Sequence, residues 1–359
     1  MKEYNLSGAV NSLANNPTFS KLVDGDNIQP VVSELVEKWE SPSRFYHSID
    51  NHLLPMIWKI KNMVIDERSR NLLEIIAWFH DCIYDPRSAD NELNSIKFFN
   101  ERLIKGHRAN NEDANIIQAT IGMTRDFKDT SDNIASHFAN LDLDYFTRTD
   151  IRQAVQNELL VLKEFQFVDY SIYKQRRLKV LNEFVGNKLT SPMVVLQICR
   201  YLKSHRPRIG IYPGSFNPFH VGHLSILKEA EKLFDKVIVA EGINPEKASN
   251  PKIQSGLGGV KETLPYHQVE YFSTFLHEYV EKKSEDADIT VIRGFRSGYD
   301  IDYELRNLAF MRDMSNNVKT VFIAPQKKFD HVSSSAIRLL KNFSDKQSSK
   351  YIPKPYYPS

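Results

Sequence analysis

Cysteine is scarce in this chain: Cys82 and Cys199 are the only two among 359 residues. Two isolated cysteines give no disulfide framework, so a disulfide-held secreted protein is excluded and a reducing compartment is expected. The apolar runs are too short to span a bilayer, and Met1–Asn5 show no signal-peptide pattern. No internal repeat is evident. We therefore expect a cytoplasmic protein without a membrane partner.

An excess of charge of one sign is also missing. Lysine and arginine number 47 against 45 aspartates and glutamates, which leaves a formal net charge of +2. A balance this even creates no overall field that would favour nucleic acid as a partner. The apolar share of 41% and the charged share of 26% are typical of a globular protein with a substantial core. The length favours two domains.

The two halves of the chain differ in their pattern. Up to about Asn187 the apolar residues recur at helical spacing, whereas from Arg208 short β-rich runs alternate with helices. Such alternation predicts parallel βαβ units. The predicted strands are Ile209–Tyr212, Val237–Ala240, Ile289–Ile292 and Thr320–Ala324. We therefore predict an all-α N-terminal domain (residues 1–190), a linker (191–206) and an α/β, Rossmann-like domain with a parallel sheet (207–359).

The segment Gly214-Ser215-Phe216-Asn217-Pro218-Phe219-His220-Val221-Gly222-His223 lies between a predicted strand and a predicted helix. A strand, a glycine-containing turn and a helix together place main-chain N–H groups and a helix N-terminus against a phosphate. His220 and His223 add side-chain donors at the same point. The segment therefore predicts a nucleotide-phosphate site.

Further motifs follow this segment in order along the chain. They are Asn244-Pro245-Glu246-Lys247, Arg293-Gly294-Phe295-Arg296, Asp300-Ile301-Asp302-Tyr303-Glu304 and Val332-Ser333-Ser334-Ser335. With them, the half from Arg208 onward resembles phosphopantetheine adenylyltransferase and the wider cytidylyltransferase-like nucleotidyltransferases. The resemblance implies transfer of AMP from ATP to a phosphorylated acceptor, with release of pyrophosphate, as in coenzyme A biosynthesis. The polyphosphate implies Mg²⁺, with few direct protein ligands.

The resemblance also assigns roles to single residues. His223 would hydrogen-bond the α-phosphate. His220 would orient or support His223 beside the β-phosphate, and Arg293 would hold phosphate. Lys247 and Ser215 would lie at the acceptor phosphate. The nucleotide-binding set that the resemblance implies is Gly214, Ser215, Phe216, His220, His223, Arg293, Arg296, Asp300, Glu304, Ser333, Ser334 and Ser335.

The segment after Lys247 departs from the family pattern. Where relatives continue into a helix with an acidic-acidic-arginine stretch, residues 248–259 read as a glycine-containing loop. The acceptor therefore stays open between phosphopantetheine, the better match, and a mononucleotide such as nicotinamide mononucleotide. A second hypothesis makes this half a nucleotide sensor that regulates an active hydrolase in the N-terminal half.

In the N-terminal half, His80-Asp81 closes an apolar helix, and Asp142 and Asp144 lie further along. From about Val31 to Phe184 this half resembles the HD-domain metal-dependent phosphohydrolases, which implies a divalent transition metal that activates water. The implied ligands are His52, His80, Asp81 and either Asp142 or Asp144. Asp144 is preferred because an aromatic pair follows it.

Two neighbouring pairs, Tyr46–His47 and Asp90–Glu92, would support the metal or the substrate. His47 and His52 are five residues apart, which on a continuous α-helix is a rotation of about 140°. Either His47 precedes the helix or it is not a metal ligand. A third hypothesis makes this half a structural or oligomerising module without metal, and homo-oligomer formation stays open.

Overall fold

The computed structural model describes residues 5–23, 27–103, 111–128, 131–147, 150–242, 256–296, 298–314 and 318–357. These residues form two compact units. The first contains Met1–Glu164 and Lys179–Arg200, and the second contains Phe165–Leu178 and Tyr201–Ser359. The division differs from the expected linker at 191–206, where the structure has a helix, Pro192–Ser204.

The described residues of the first unit form helices joined by turns and loops, with no strand among them, as predicted. Its helices are Leu6–Ala14, Pro17–Leu22, Ile28–Trp39, Leu54–Asn62, Glu67–Phe79, Asn91–Arg102, Glu112–Met123, Asn133–Asp142 and Ile151–Glu164. A π-helix, Ile49–Leu53, and a 3₁₀ turn, Asp144–Phe146, lie between them. The helix Tyr170–Val185 carries residues of both units. Within the described ranges, none of the helices is long and apolar enough to cross a bilayer.

The helix Glu67–Phe79 is the centre of the first unit. Every residue from Leu72 to Phe79 is buried, which is the pattern of a helix enclosed by other helices on all sides. One of these residues is acidic, and the carboxylate of Glu74 lies 3.1 Å from Lys61 Nζ. His80 caps the C-terminus of this helix, so the burial of the helix fixes the position of His80 and of the residue that follows.

The second unit is built on a parallel sheet, which confirms the predicted architecture. Its strands are β1 (Arg208–Gly214), β2 (Lys236–Gly242), β3 (Gln268–Phe272), β4 (Asp288–Gly294) and β5 (Lys319–Ile323). All neighbouring strands pair in parallel in the order β3-β2-β1-β4-β5. Its remaining helices are Val221–Glu231, Gly256–Thr263, Leu276–Lys283, Gly298–Met314, Ser334–Lys341 and Asp345–Ser349. The sequence analysis missed β3.

The strand order reverses between β1 and β4. In open parallel sheets the crevice outside the carboxyl ends of the strands at such a point is the usual ligand site. β1 is buried from Ile209 to Pro213, and Ile211 in its centre pairs with Ile238 on one side and Val291 on the other. The segments that follow β1 and β4 therefore meet above a rigid base.

The C-terminal segment Tyr351–Tyr357 packs along the helix Val221–Glu231. The N–H of Val221 donates to the carbonyl of Tyr351 at 2.9 Å, which holds the start of this helix. At its other end, the Tyr356 hydroxyl donates to Glu231 Oε2 at 2.5 Å. The segment therefore holds both ends of the helix that follows β1.

Replacing Tyr356 by phenylalanine should lower the free energy of unfolding by about 2 kcal/mol, because a hydrogen bond to a buried carboxylate is lost. Urea unfolding followed by circular dichroism measures the change. Tyr357→Phe is the matched control, since the ring of Tyr357 packs on Tyr266, and we expect a change within about 0.5 kcal/mol. Equal effects of the two substitutions would contradict the role of the Tyr356 hydroxyl.

Candidate functional site

A cavity of about 370 Å³ opens at the carboxyl ends of β1 and β4, within the range typical of small-molecule sites. The nucleotide-binding residues expected from the sequence line this cavity wherever the structure describes their side chains. They are Gly214, Ser215, Phe216, His220, His223, Arg293, Arg296, Glu304, Ser333, Ser334 and Ser335. The side chain of Asp300 and the whole of Lys247 lie outside the described residues.

Two glycines allow aromatic rings to lie directly on the backbone beside the cavity. A Cβ atom at Gly214 would come within 2.8 Å of the Phe216 ring. A Cβ atom at Gly222 would come within 3.0 Å of the His220 ring. Side chains at these positions would push both rings out of place. Glycine is thus required at both positions because an aromatic ring lies so close to the backbone there.

His220 and His223 cap the helix Val221–Glu231 reciprocally. Nδ1 of His220 accepts the N–H of Gly222 at 3.1 Å and that of His223 at 3.3 Å. In return, Nδ1 of His223 accepts the N–H of His220 at 3.3 Å. The two rings stack with their centroids 3.6 Å apart. Each imidazole is therefore held by the main chain of the other.

These hydrogen bonds decide the tautomer of both rings. Burial lowers the pKa of His220 to about 4, and the guanidinium of Arg296 contributes in the same direction. Burial also lowers the pKa of His223 well below its usual value, with His220 and Arg296 adding to the effect. Both imidazoles are neutral at pH 7, and since Nδ1 accepts in each, Nε2 carries the proton. The site thus contains two N–H donors that suit phosphate oxygens.

The sequence analysis expected main-chain N–H groups at this helix start to contact phosphate, and the structure corrects that expectation. The N–H groups of Gly222 and His223 donate to His220 Nδ1, and that of Val221 donates to the carbonyl of Tyr351. These groups are already satisfied within the protein. The imidazoles, together with the helix dipole, are left to face an anion.

Arginines from the end of β4 form the cationic side of the cavity. Nε of Arg293 lies 3.3 Å from Oε2 of Glu304, and Nη1 of Arg296 donates to the carbonyl of Val332 at 3.1 Å. Glu304 was expected to contact nucleotide, but its carboxylate lies against Arg293. Glu304 therefore lines the cavity as the ion-pair partner of Arg293.

The serine motif begins the helix Ser334–Lys341. Oγ of Ser333 accepts the N–H of Ala336 at 3.2 Å, which is an N-cap. The Ser334 hydroxyl donates to the carbonyl of Pro218 at 3.1 Å. The serines thus tie the start of this helix to the loop after β1, and both elements line the cavity.

Arg338 also lines the cavity and was missed in the sequence analysis. Its Nη2 donates to Oγ of Ser335 at 3.0 Å, and its Nη1 donates to the carbonyl of Asn217. The available signal was its spacing, because a residue three positions after Ser335 on a helix lies on the same face. Arg338 adds a third guanidinium to the cationic side of the cavity.

The stability of the second unit should fall below neutral pH. An unfolded chain protonates His220 near pH 6.5, whereas the folded chain does so near pH 4. The contribution of His220 to the free energy of unfolding is therefore complete above pH 6.5. It is lost as the pH falls towards 4, a decrease on the order of 3 kcal/mol. Urea unfolding of His220→Asn, which retains a capping side chain, should show a weaker decline. Parallel declines in the two proteins would contradict this assignment.

In the first unit, two imidazoles and two carboxylates converge. Nε2 of His52 and Nε2 of His80 are 3.2 Å apart. Oδ2 of Asp81 lies 3.2 Å from His80 Nε2, and Oδ1 of Asp142 lies 3.2 Å from His52 Nε2. Both histidines are buried. We call these four residues the His–Asp cluster.

The donor set of the His–Asp cluster fits a divalent transition metal. Nδ1 of His80 lies 2.9 Å from the carbonyl of Ala77, so Nδ1 carries the proton that this contact requires and Nε2 is left to coordinate. Burial alone would lower the pKa of His80, but the carboxylates of Asp81 and Asp142 outweigh it and raise the pKa to about 9. The cluster therefore favours a cation at its centre. Imidazole nitrogens with carboxylates are typical ligands of such metals.

The structure brings Asp142, rather than the preferred Asp144, to the cluster. Asp142 is the last residue of the helix Asn133–Asp142. The carboxylate of Asp144, in the turn that follows, forms an ion pair with Lys59. The aromatic pair after Asp144 was therefore a poor guide to the position of the carboxylate.

A π-helix explains the spacing of five between His47 and His52. Ser48 caps the π-helix Ile49–Leu53, so His47 precedes it, which was one of the two alternatives. The 140° rotation of a continuous helix therefore does not apply to His47 and His52. His52 itself lies in the π-helix, a type of turn that is frequent at functional sites.

Of the segment Asp90–Glu92, Asn91 accepts the N–H of Asp85 at 3.0 Å and donates to its carbonyl at 3.0 Å. Burial raises the pKa of the half-buried Glu92, and the nearby Asp81 adds to this shift. Asn91 therefore holds the loop beside the cluster. Glu92 is the residue of this segment whose pKa is affected by the charge of Asp81.

The parallel sheet of the second unit and the cavity at the carboxyl ends of β1 and β4 together define a nucleotidyltransferase. Comparison with known proteins agrees, since the cytidylyltransferase-like family matches residues 211–340. Through this domain the chain belongs to the cytidylyltransferase-like family.

Within that family the chain is similar to proteins named phosphopantetheine adenylyltransferase. The protein of that name from Clostridium perfringens (strain SM101 / Type A) is 37% identical over 150 residues, 41% of this chain and 89% of the relative. The one from Caldanaerobacter subterraneus subsp. tengcongensis is 35% identical over 139 residues, 38% of this chain and 85% of the relative. A solved structure, described as a candidate nicotinate-nucleotide adenylyltransferase from Vibrio parahaemolyticus, is 17% identical with a TM-score of 0.30, covering 39% of this chain and 85% of its own.

Proposed function

We propose that the second unit transfers AMP from ATP to phosphopantetheine, giving dephospho-CoA and pyrophosphate. The observation that carries the proposal is the pair of neutral, main-chain-held imidazoles of His220 and His223 in one cavity with Arg293 and Arg296. The names of the relatives support adenylyl transfer and favour phosphopantetheine as the acceptor.

In this reaction an acceptor phosphate oxygen forms a bond to the α-phosphorus of ATP, and the bond to the β-phosphate breaks. The protein positions two anions and stabilises the charge that develops between them. Nε2–H of His223 donates to an α-phosphate oxygen, and His220 donates beside the β-phosphate. Arg293, Arg296 and the serine motif hold the triphosphate. Mg²⁺ supplies charge neutralisation when bound, and Lys247 and Ser215 are assigned to the acceptor phosphate.

Pyrophosphate release from ATP and Mg²⁺ across a panel of phosphorylated acceptors tests this function. Phosphopantetheine should give the largest kcat/KM. A preference for nicotinamide mononucleotide would show that the proposed acceptor is wrong and that the proposed reaction, adenylyl transfer, is right. Tight ATP binding without turnover on any acceptor would favour the sensor hypothesis and overturn the enzymatic one.

A second function is proposed for the first unit: metal-dependent hydrolysis of a phosphate ester, as in HD-domain phosphohydrolases. The convergence of His52, His80, Asp81 and Asp142 favours it. Metal analysis of the purified protein and hydrolysis of p-nitrophenyl phosphate with added Mn²⁺ test it. Absence of bound or bindable transition metal would leave the first unit as a structural module.

A further inference from the structure

A fully buried carboxylate, that of Glu164, lies beside the His–Asp cluster, and neither proposed function uses it. Its side chain is 0% exposed. Oε1 accepts the main-chain N–H groups of Phe45, Tyr46 and His47 at 2.9, 2.8 and 2.8 Å. Three amides on one oxygen hold this acid as an anion and fix the segment that precedes the π-helix.

The second oxygen of Glu164 holds two side chains. Nδ1 of His47 lies 2.7 Å from Oε2, and the hydroxyl of Tyr84 donates to the same atom at 2.6 Å. The rings of His47 and Tyr84 lie against each other with centroids 4.4 Å apart. Because the carboxylate of Glu164 is surrounded by donors, Nδ1 of His47 carries a proton and donates a hydrogen bond to Oε2. The orientation of the ring is thereby set, and Nε2 is its remaining polar atom.

His47 lies next to the cluster without being part of it. Its ring centroid is 5.5 Å from that of His52. Among the described residues, His52, His80 and Asp81 have ligand atoms within 4.8 Å of one another, and neither His47 nor Asp142 belongs to this group. Asp142 is linked to the cluster by the 3.2 Å contact of its Oδ1 with His52 Nε2, whereas Nδ1 of His47 is held by Glu164. The side chain of His47 is 23% exposed, whereas that of His52 is 4% exposed. The imidazole of His47 is therefore the more accessible of the two to solvent and to a dissolved phosphate ester.

We propose that His47 is a substrate-contacting residue of this site, which binds a phosphoryl oxygen of a phosphate ester through Nε2, and that Glu164 is its positioning residue. In this arrangement His47 stays outside the ligand shell of the metal. The inference rests on the phosphohydrolase function proposed for the first unit.

Calorimetric titration of the full-length protein with Mn²⁺, and of the Mn²⁺-loaded protein with inorganic phosphate, tests this role. His47→Ala should bind Mn²⁺ with a Kd within about twofold of the wild type and bind phosphate at least about tenfold more weakly, because a charge-assisted hydrogen bond is lost. His47→Gln, whose amide reaches the position of Nε2, should recover part of that affinity. Asp142→Asn should instead lose affinity for Mn²⁺, and its weaker phosphate binding should follow from the loss of the metal.

The positioning role of Glu164 has its own signature. The ring nitrogens of His47, observed by ¹⁵N NMR, should show protonated Nδ1 in the wild type and a mixture of tautomers in Glu164→Gln. Loss of Mn²⁺ affinity in His47→Ala would make His47 a metal ligand, and unchanged phosphate affinity would remove it from substrate binding; either result overturns the inference. A wild-type protein that binds no Mn²⁺ would instead overturn the phosphohydrolase function itself.

Discussion

Replacing His223 by alanine should lower kcat for adenylyl transfer by about 10² to 10³-fold, the usual cost of removing one preorganised donor from a developing negative charge. The structure gives His223 a neutral ring whose Nδ1 accepts a main-chain N–H, so the proton on Nε2 faces the cavity. Initial rates of pyrophosphate release under saturating ATP measure the loss.

His223→Asn separates the chemistry from the capping. Asparagine retains an acceptor in the place of Nδ1 and lacks a donor in the place of Nε2. We expect it to lose as much activity as alanine while recovering most of the about 1 kcal/mol that loss of a cap costs. His277→Ala, a histidine substitution away from the residues that line the cavity, should leave kcat within about twofold. Near-wild-type activity in His223→Asn would show that His223 serves the helix alone.

The second large effect is expected at the His–Asp cluster, where Asp142→Asn should weaken Mn²⁺ binding by at least about 100-fold. An amide is a poorer ligand than a carboxylate, and even substitutions outside the ligand shell cost 10 to 100-fold. Equilibrium dialysis with metal analysis measures the change.

Asp144→Asn provides a matched control two residues away. Its carboxylate is paired with Lys59, so Mn²⁺ affinity should stay within about threefold of the wild type. The reverse ranking of the two variants would return Asp144 to the ligand set. Equal and small effects would mean that neither carboxylate binds metal.

The parts of the fold that were predictable from the sequence are those with strong local patterns. Continuous apolar runs at β1, β2 and β4 identified strands, because strands buried on both faces carry such runs. β3 was missed, since its five residues include Gln268, Glu270 and the exposed Tyr271. Its pairing with β2, and not its composition, makes it a strand.

The candidate sites divide in the same way. The lining of the nucleotide cavity was predictable because its motifs follow strands whose carboxyl ends share one edge. The pairing of Glu304 with Arg293, and the use of main-chain N–H groups by His220, depend on rotamers that spacing does not encode. Glu164 had no local signal, because its partners Phe45, Tyr46 and His47 are 117 to 119 residues away and Tyr84 is 80 residues away.

That separation has a consequence for how the protein is made. At about 5 to 20 residues per second, the ribosome releases the segment around His47 roughly 6 to 24 seconds before the acid that anchors it. Until Glu164 emerges, the amides of this segment lack their shared acceptor and the imidazole its fixed direction. The metal-binding side is itself complete only when Asp142 has been made, which is 22 residues, or about 1 to 4 seconds, before Glu164. The metal-binding and substrate sides of the first unit are therefore expected to form close together in time, late in the synthesis of this unit.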